Sequence, residues 1–455
     1  MPTRPRTVWS VAAVALLAGA PAALAQATRD AVPVRPAGAA AAPAQPTETS
    51  AVDAAITLAR REMSAAYQAG TLDDAERARI ANQAVASLPM DELGVEDFTK
   101  LGRAGLLNAS RAESFAPVAM RLGTLSQEES IEGFRAATTL FNAMAQTGGE
   151  AMASRTAATF RLATQHPAFG EALSGGTANE LLGSIGYMDA AVVKPIGSDL
   201  VAVAEAMDEN TSMAVIGRAG GLMRAIHNAE VPKADSERAR THLIEVISGM
   251  AQQEGGERLA RVQALLEGAW GRGELLGHAA PAISFDWSSD EAITSLGDLQ
   301  GSVVIVDFWA TWCGPCRSAF PDARELVAHY QGYPVRLIGV TSLQGFHISS
   351  DADERARIDC AGDAQKEYGL MPEFMDEMDM TWDVAFSPTN VFNPEFGVQG
   401  IPHLAIIAPD GTVRHNGLNP HSTPARAQSE LINSILAEFN LPHPAAWEDD
   451  ETQGG

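Results

Sequence analysis

Residues 302–330 constrain the fold more than any other stretch. Ser302-Val303-Val304-Ile305-Val306-Asp307-Phe308-Trp309 is a β-branched, nearly continuous apolar run, the composition of a central strand buried on both faces. It leads through Ala310-Thr311-Trp312 into Cys313-Gly314-Pro315-Cys316 and then into an amphipathic helix from Arg317 to Tyr330. Two cysteines separated by two residues therefore stand at a strand-to-helix junction. The first turn of a helix has N–H groups without intrahelical partners and a partial positive charge, and both stabilise a thiolate. On that ground Cys313 is the expected nucleophile. Cys316, one turn on, is expected to be less exposed and within reach of a mixed disulfide on Cys313, which it would resolve.

A C-x-x-C pair can also be half of a zinc site, which needs a second pair of ligands at suitable spacing. Only Cys360 and scattered histidines are available for that role, so the redox reading is preferred and no metal is expected. All three cysteines lie in the last third of the chain, unlike those of a disulfide-stapled secreted scaffold.

At 455 residues the chain is long enough for two or more folded units. Residues 1–25 read as a signal peptide: Arg4 and Arg6, an apolar run from Val11 to Leu17, and Ala23-Leu24-Ala25 as a small-x-small cleavage site. Export to the periplasm or beyond the membrane, with cleavage after Ala25, is therefore expected. An Ala/Pro-rich linker follows over 26–48, with Pro33, Pro36, Pro43 and Pro46. From residue 49 to about 275 the period is helical, beginning with Val52, Ile56, Ala59 and Met63. This all-helical domain has no named repeat. Asp73, Ser110, Ser126 and Ser236 stand where N-caps are expected.

The helical domain has no cysteine and no phosphate-binding glycine loop. Its histidines His166, His227 and His242 are isolated, and its methionines, among them Met120, Met144, Met223 and Met250, read as core fillers. Binding of another protein is its default role. The formal net charge of -25 disfavours nucleic acid and anionic membrane surfaces as partners.

Residues Val304 to Cys316 resemble the active-site segment of thioredoxins and, more closely, of the exported TlpA-like thiol–disulfide oxidoreductases. Ala280 to Phe285 and Leu296 to Gly301 resemble that family's opening strand pair, and Val335 to Thr341 its next strand. Gly400-Ile401-Pro402, followed by Leu404 to Gly411, resembles its cis-proline loop, strand and hairpin turn. The resemblance implies an α/β thioredoxin-like fold over 278–442, with an acidic tail at 443–455. It also implies a cis Ile401–Pro402 bond facing Cys313, whose backbone lets a substrate segment pair as an added strand. Trp312, Gly314, Pro315, Ile401 and His403 would face that substrate. Asp307 would be the buried acid that takes a proton from Cys316.

The chain departs from the family in four places. Asp307 stands where many members have Asn, His403 where Thr is common, and Ala319 where some place an acid. Between Thr341 and Asn390 lies an acidic insert that is longer than expected and contains Cys360. His403 either adds a titratable group near the site or faces solvent. Cys360 is either a half-buried helical residue or a third redox thiol, and its neighbours Asp359 and Asp363 would raise its pKa.

The expected function is dithiol–disulfide exchange on protein thiols or disulfides. The Gly-Pro dipeptide suggests a reductase, fed by a membrane electron donor and using no cofactor beyond the Cys313–Cys316 disulfide. The alternatives are a helical interaction scaffold with an accessory redox domain and a thiol peroxidase, the latter separable by peroxide consumption.

Overall fold

The computed structural model describes residues 50–107, 112–145, 150–188, 190–251, 256–350, 356–445 and 447. The expected signal peptide, the linker and residues 448–455 of the tail lie outside them, as do Ser110 and Asp351 to Glu354. The chain divides into two compact units, residues 1–255 and 256–455.

The described residues of the first unit form helices and no strand. Ser50 and Asp73 start the first two, their side chains accepting the backbone N–H of Asp53 and Glu76. Along Ala51–Gln68 the buried residues Val52, Ala55, Ile56 and Ala59 recur every three or four positions, which aligns them on one face. The helix Ile131–Ala145 is buried along most of its length and packs against Val95–Arg103, Ala112–Leu125 and Glu150–Thr164. Phe98, Phe134, Phe141 and Phe160 fill this core.

Two expected caps are not caps. Ser126 follows the helix Ala112–Leu125 and donates to Gly123 O, while Ser130 caps the next helix by accepting Gly133 N–H. Ser236 lies inside the helix Lys233–Ala251. Hydroxyls bond to nearby backbone in several local geometries, so residue type alone does not place a helix start. His166 is a core histidine whose Nδ1 accepts Ala168 N–H, and Met144, Met223 and Met250 are buried as expected of fillers. Met120 is half exposed and fills no core.

The elements of the second unit are numbered within it. Helix α1 is Gly256–Glu267. A six-stranded mixed sheet follows: β1 Trp287–Ser288, β2 Val303–Phe308, β3 Val335–Thr341, β6 Asp383–Phe386, β7 His403–Ile407 and β8 Val413–Leu418. A separate hairpin of β4 Phe346–Ile348 and β5 Arg357–Asp359 lies between β3 and β6 in the chain. The remaining helices are α2 Gly314–Ser318, α3 Phe320–His329, α4 Ala364–Glu377 and α5 Ala425–Glu438.

The sheet order is β1-β6-β3-β2-β7-β8. Strand β2 runs parallel to β3 and antiparallel to β7, and all six of its residues are buried. This is the thioredoxin-like α/β arrangement. Successive side chains of a strand point to opposite faces. One face of the sheet accordingly gathers Ile305, Trp309, Leu337, Val384, Leu404 and Ile406 with Phe320, Phe374, Cys313 and Cys316.

The helix expected over 317–330 is two helices broken at Ala319. Pro321 has no N–H to donate to Arg317 O, so the ladder is interrupted there. The expected opening strand pair is reduced to one bridge between Ser284 and Ser295, because Leu296–Leu299 turns as a 3-10 helix. The change of unit falls after Gly255 rather than near residue 275. Residues just past α1 are tied to the rest of the second unit: Ala269 and Trp270 donate their N–H groups to Glu395 Oε2 (2.7 Å) and Glu395 O (3.1 Å).

Candidate active site

The active-site loop leaves the C-terminal end of β2. Cys313 is the N-cap of α2, its backbone extended and its Sγ accepting the N–H of Cys316 at 3.1 Å. The two cysteines are joined by a disulfide with Cα atoms 5.3 Å apart. Both are buried, whereas Gly314 is half-buried and Pro315 exposed, so the Gly-Pro dipeptide is the part of the loop open to solvent. Nε2 of His421 lies 2.9 Å from Pro315 O, a contact in which the imidazole N–H donates.

Asp307 is buried on β2, flanked by Gly339 on β3 and Leu404 on β7. Strand alternation puts its side chain on the face shared by Ile305, Trp309 and the cysteines. Burial pushes its carboxyl up to about 7, and its Oδ1 has no hydrogen-bond partner among the described residues. A carboxyl that titrates near neutral pH can both accept and return a proton there.

The peptide between Ile401 and Pro402 is cis. The pairing of Phe308 with His403 places Pro402 and Ile401 beside Trp309 and Ala310, where the chain turns toward Cys313. Ile401 and Trp312 are half-buried and pack against the cluster that contains both cysteines. His403 does not join them. It is buried on the opposite face, edge-on to Phe308 at 5.8 Å, with Nε2 3.0 Å from Asn416 Oδ1. It therefore neither faces solvent nor is presented to a substrate.

The insert surrounds the loop with residues that carry no motif. Thr311 Oγ1 accepts Ile348 N–H on β4. Arg317, also buried, donates to Ser349 O and Ser350 O and lies over the Phe374 ring. Trp312 Nε1 donates to Gln344 Oε1 at 3.0 Å, and Phe392 lies 6.5 Å from the Trp312 ring. Cys360 is a buried free thiol whose pKa is raised by burial and by Glu367.

A Redoxin family profile matches residues 275–433. The second unit carries a Redoxin domain. The domain is 28% identical over 141 residues to the thiol-disulfide oxidoreductase ResA of Oceanobacillus iheyensis. That match covers 30% of this chain and 62% of the relative, less than two thirds of its length. A thioredoxin-like protein, YneN, of Bacillus subtilis is 27% identical over 139 residues, covering 30% of this chain and 68% of the relative. Among solved structures, the thioredoxin domain of a thiol-disulfide oxidoreductase from Bacteroides vulgatus aligns at 18% identity. That alignment covers 35% of this chain and 97% of that one, with a TM-score of 0.26. The helical unit lies outside each of these matches.

Within the Redoxin domain, Gln344 and Phe392 meet Trp312, and Glu367 accepts the Gln344 and Gly345 N–H groups, yet none of the three carries a signal in the sequence. Each is brought there by a long-range fold contact, with Gln344 32 residues from Trp312.

Proposed function

We propose that the Redoxin domain is a thiol–disulfide oxidoreductase that exchanges electrons with protein substrates through Cys313 and Cys316, working as a reductase. The observation that carries this reading is the placement of Cys313 Sγ at a helix start, accepting the Cys316 N–H, on the sheet face that also carries the buried acid Asp307. A backbone N–H directed at sulfur stabilises the thiolate over the thiol.

In the reducing direction the Cys313 thiolate attacks one sulfur of a substrate disulfide. The substrate S–S bond breaks, a Cys313–substrate disulfide forms, and the first substrate thiolate leaves and takes a proton from water. Cys316 then gives its proton to ionised Asp307 and attacks Cys313 Sγ. This restores the Cys313–Cys316 bond and expels the second substrate thiolate, which accepts the proton. Two electrons pass to the substrate and the protein is left oxidised. No further cofactor is needed, and a second thiol donor must reduce the pair for another turnover.

Trp312, Gly314, Pro315 and Ile401 form the surface that a substrate segment meets. Arg4, Arg6, the apolar run to Leu17 and Ala23-Leu24-Ala25 support export. An exported reductase would take its electrons from a membrane donor, and the helical unit is assigned to binding another protein.

The test is reduction of a disulfide-bridged peptide by the pre-reduced protein. Wild type should convert the peptide, Cys313→Ser should not, and Cys316→Ser should accumulate a peptide adduct on Cys313. Equal conversion by wild type and Cys313→Ser would sink the proposal.

A further inference from the structure

A buried carboxylate without a cation normally costs stability, and such a group in a folded protein asks for an explanation. Glu367 on α4 is 3% exposed and forms no ion pair among the described residues. Its two oxygens accept two consecutive backbone N–H groups, Gln344 at 2.8 Å and Gly345 at 3.0 Å. Burial pushes its pKa up while these two bonds pull it down. Both of its oxygens are thus engaged by one short loop that follows β3.

That loop holds the walls of the active site. Gln344 Nε2 donates to Ser342 O (2.8 Å) and Ser342 Oγ (3.0 Å), which leaves Oε1 turned to the Trp312 indole. An indole N–H can only donate and a carbonyl only accept, so this amide orientation alone satisfies both partners. Ser342 Oγ also accepts the N–H of Val391, the residue before Phe392, whose ring lies beside Trp312. Gly345, at φ +71, accepts the N–H of Cys360 through its carbonyl. Leu343, in the same loop, is 41% exposed, so apolar surface remains open where the loop reaches the site.

We propose that Glu367 is a positioning residue for the exchange site: by fixing the Gln344–Gly345 backbone it sets the Gln344 amide and, through it, the Trp312 wall beside Cys313. The wall matters for a peptide that must lie along the site and much less for a small disulfide that meets Cys313 Sγ end-on. This inference rests on the exchange reading of Cys313 and Cys316. It gives the long insert a role, since both Gln344 and Glu367 belong to it.

The experiment uses the full chain, pre-reduced, and compares kcat/KM for a disulfide-bridged peptide with that for bis(2-hydroxyethyl) disulfide. In Glu367→Gln the amide NH2 faces one of the two backbone N–H groups, so at least one of them loses its acceptor. Loss of one buried hydrogen bond corresponds to roughly tenfold in an equilibrium. The peptide-to-small-disulfide ratio should therefore fall about tenfold in Glu367→Gln, mainly through KM. Gln344→Ala, a half-buried site that breaks the same chain, should lower it similarly and keeps the test open if Glu367→Gln folds poorly. Adding Glu367→Gln to Trp312→Ala should lower the ratio no further than Trp312→Ala alone. A wild-type ratio in both single variants, or effects that multiply with Trp312→Ala, would overturn the positioning role. Wild-type protein inert toward both disulfides would refute the exchange reading itself.

Discussion

Replacing Asp307 with Asn should remove most of a pH dependence that the fold imposes on the second unit. The Asp307 carboxyl, between Gly339 and Leu404, holds its proton up to about 7, against 3.8 for the ordinary group. Between these values the folded chain binds more protons than the unfolded chain. Stability then falls as pH rises, the reverse of the usual carboxylate case. A shift of about three units at about 1.4 kcal/mol each comes to about 4 kcal/mol lost between pH 4 and pH 8.

Asn is nearly isosteric and carries no charge to desolvate. Asp307→Asn should accordingly match wild type at pH 4 and exceed it by about 4 kcal/mol at pH 8. Apart from Trp9, every tryptophan lies at residue 270 or later, so tryptophan emission during guanidinium unfolding follows the second unit. The measurement is made on oxidised protein to keep the cysteines from titrating. The same substitution should slow peptide reduction, because Cys316 loses its proton acceptor. Parallel pH profiles for wild type and Asp307→Asn would refute the reasoning, since they would place the carboxyl in contact with water.

Two further outcomes follow from the packing. Cys360→Ser should leave the exchange rate within about twofold and the reduced thiol should resist iodoacetamide at neutral pH, because burial and Glu367 both hold Cys360 protonated. Rapid alkylation of Cys360 in the folded protein would contradict this. Gly397→Ala should destabilise the second unit by about 3 kcal/mol, since it combines a left-handed backbone with overpacking. Its φ is +67, and an added Cβ would lie 2.3 Å from the Trp270 ring. Unfolding midpoints of the two proteins decide it, and an unchanged midpoint would show that Trp270 does not dock there.

Much of the site was legible in the sequence because its parts are local. The run Val303 to Phe308 is apolar throughout because β2 is covered on both faces, and the cysteines follow within eight residues. Pro321 is a local breaker that the apolar period from Arg317 to Tyr330 masked, so one helix was expected where there are two. The fate of His403 was not readable from its neighbours, because its direction is set by the register with Phe308 on a strand almost a hundred residues away. The Glu367–Gln344–Trp312 chain was hidden for the same reason. Its donors and acceptors are common residue types with no fixed spacing, and only the fold makes them partners. The cap positions Ser126 and Ser236 show the converse, that a locally suggestive residue can be assigned elsewhere by the helices around it.

The most direct test of the central claim is equilibration of the full chain with glutathione buffers, with the Cys313–Cys316 state read by thiol trapping. A single two-electron transition is expected, near the thioredoxin end at roughly -270 mV, unchanged in Cys360→Ser and absent in Cys316→Ser. A pair that stays fully reduced or fully oxidised at every glutathione ratio would contradict exchange at this site, and a midpoint near roughly -120 mV would contradict the reducing direction.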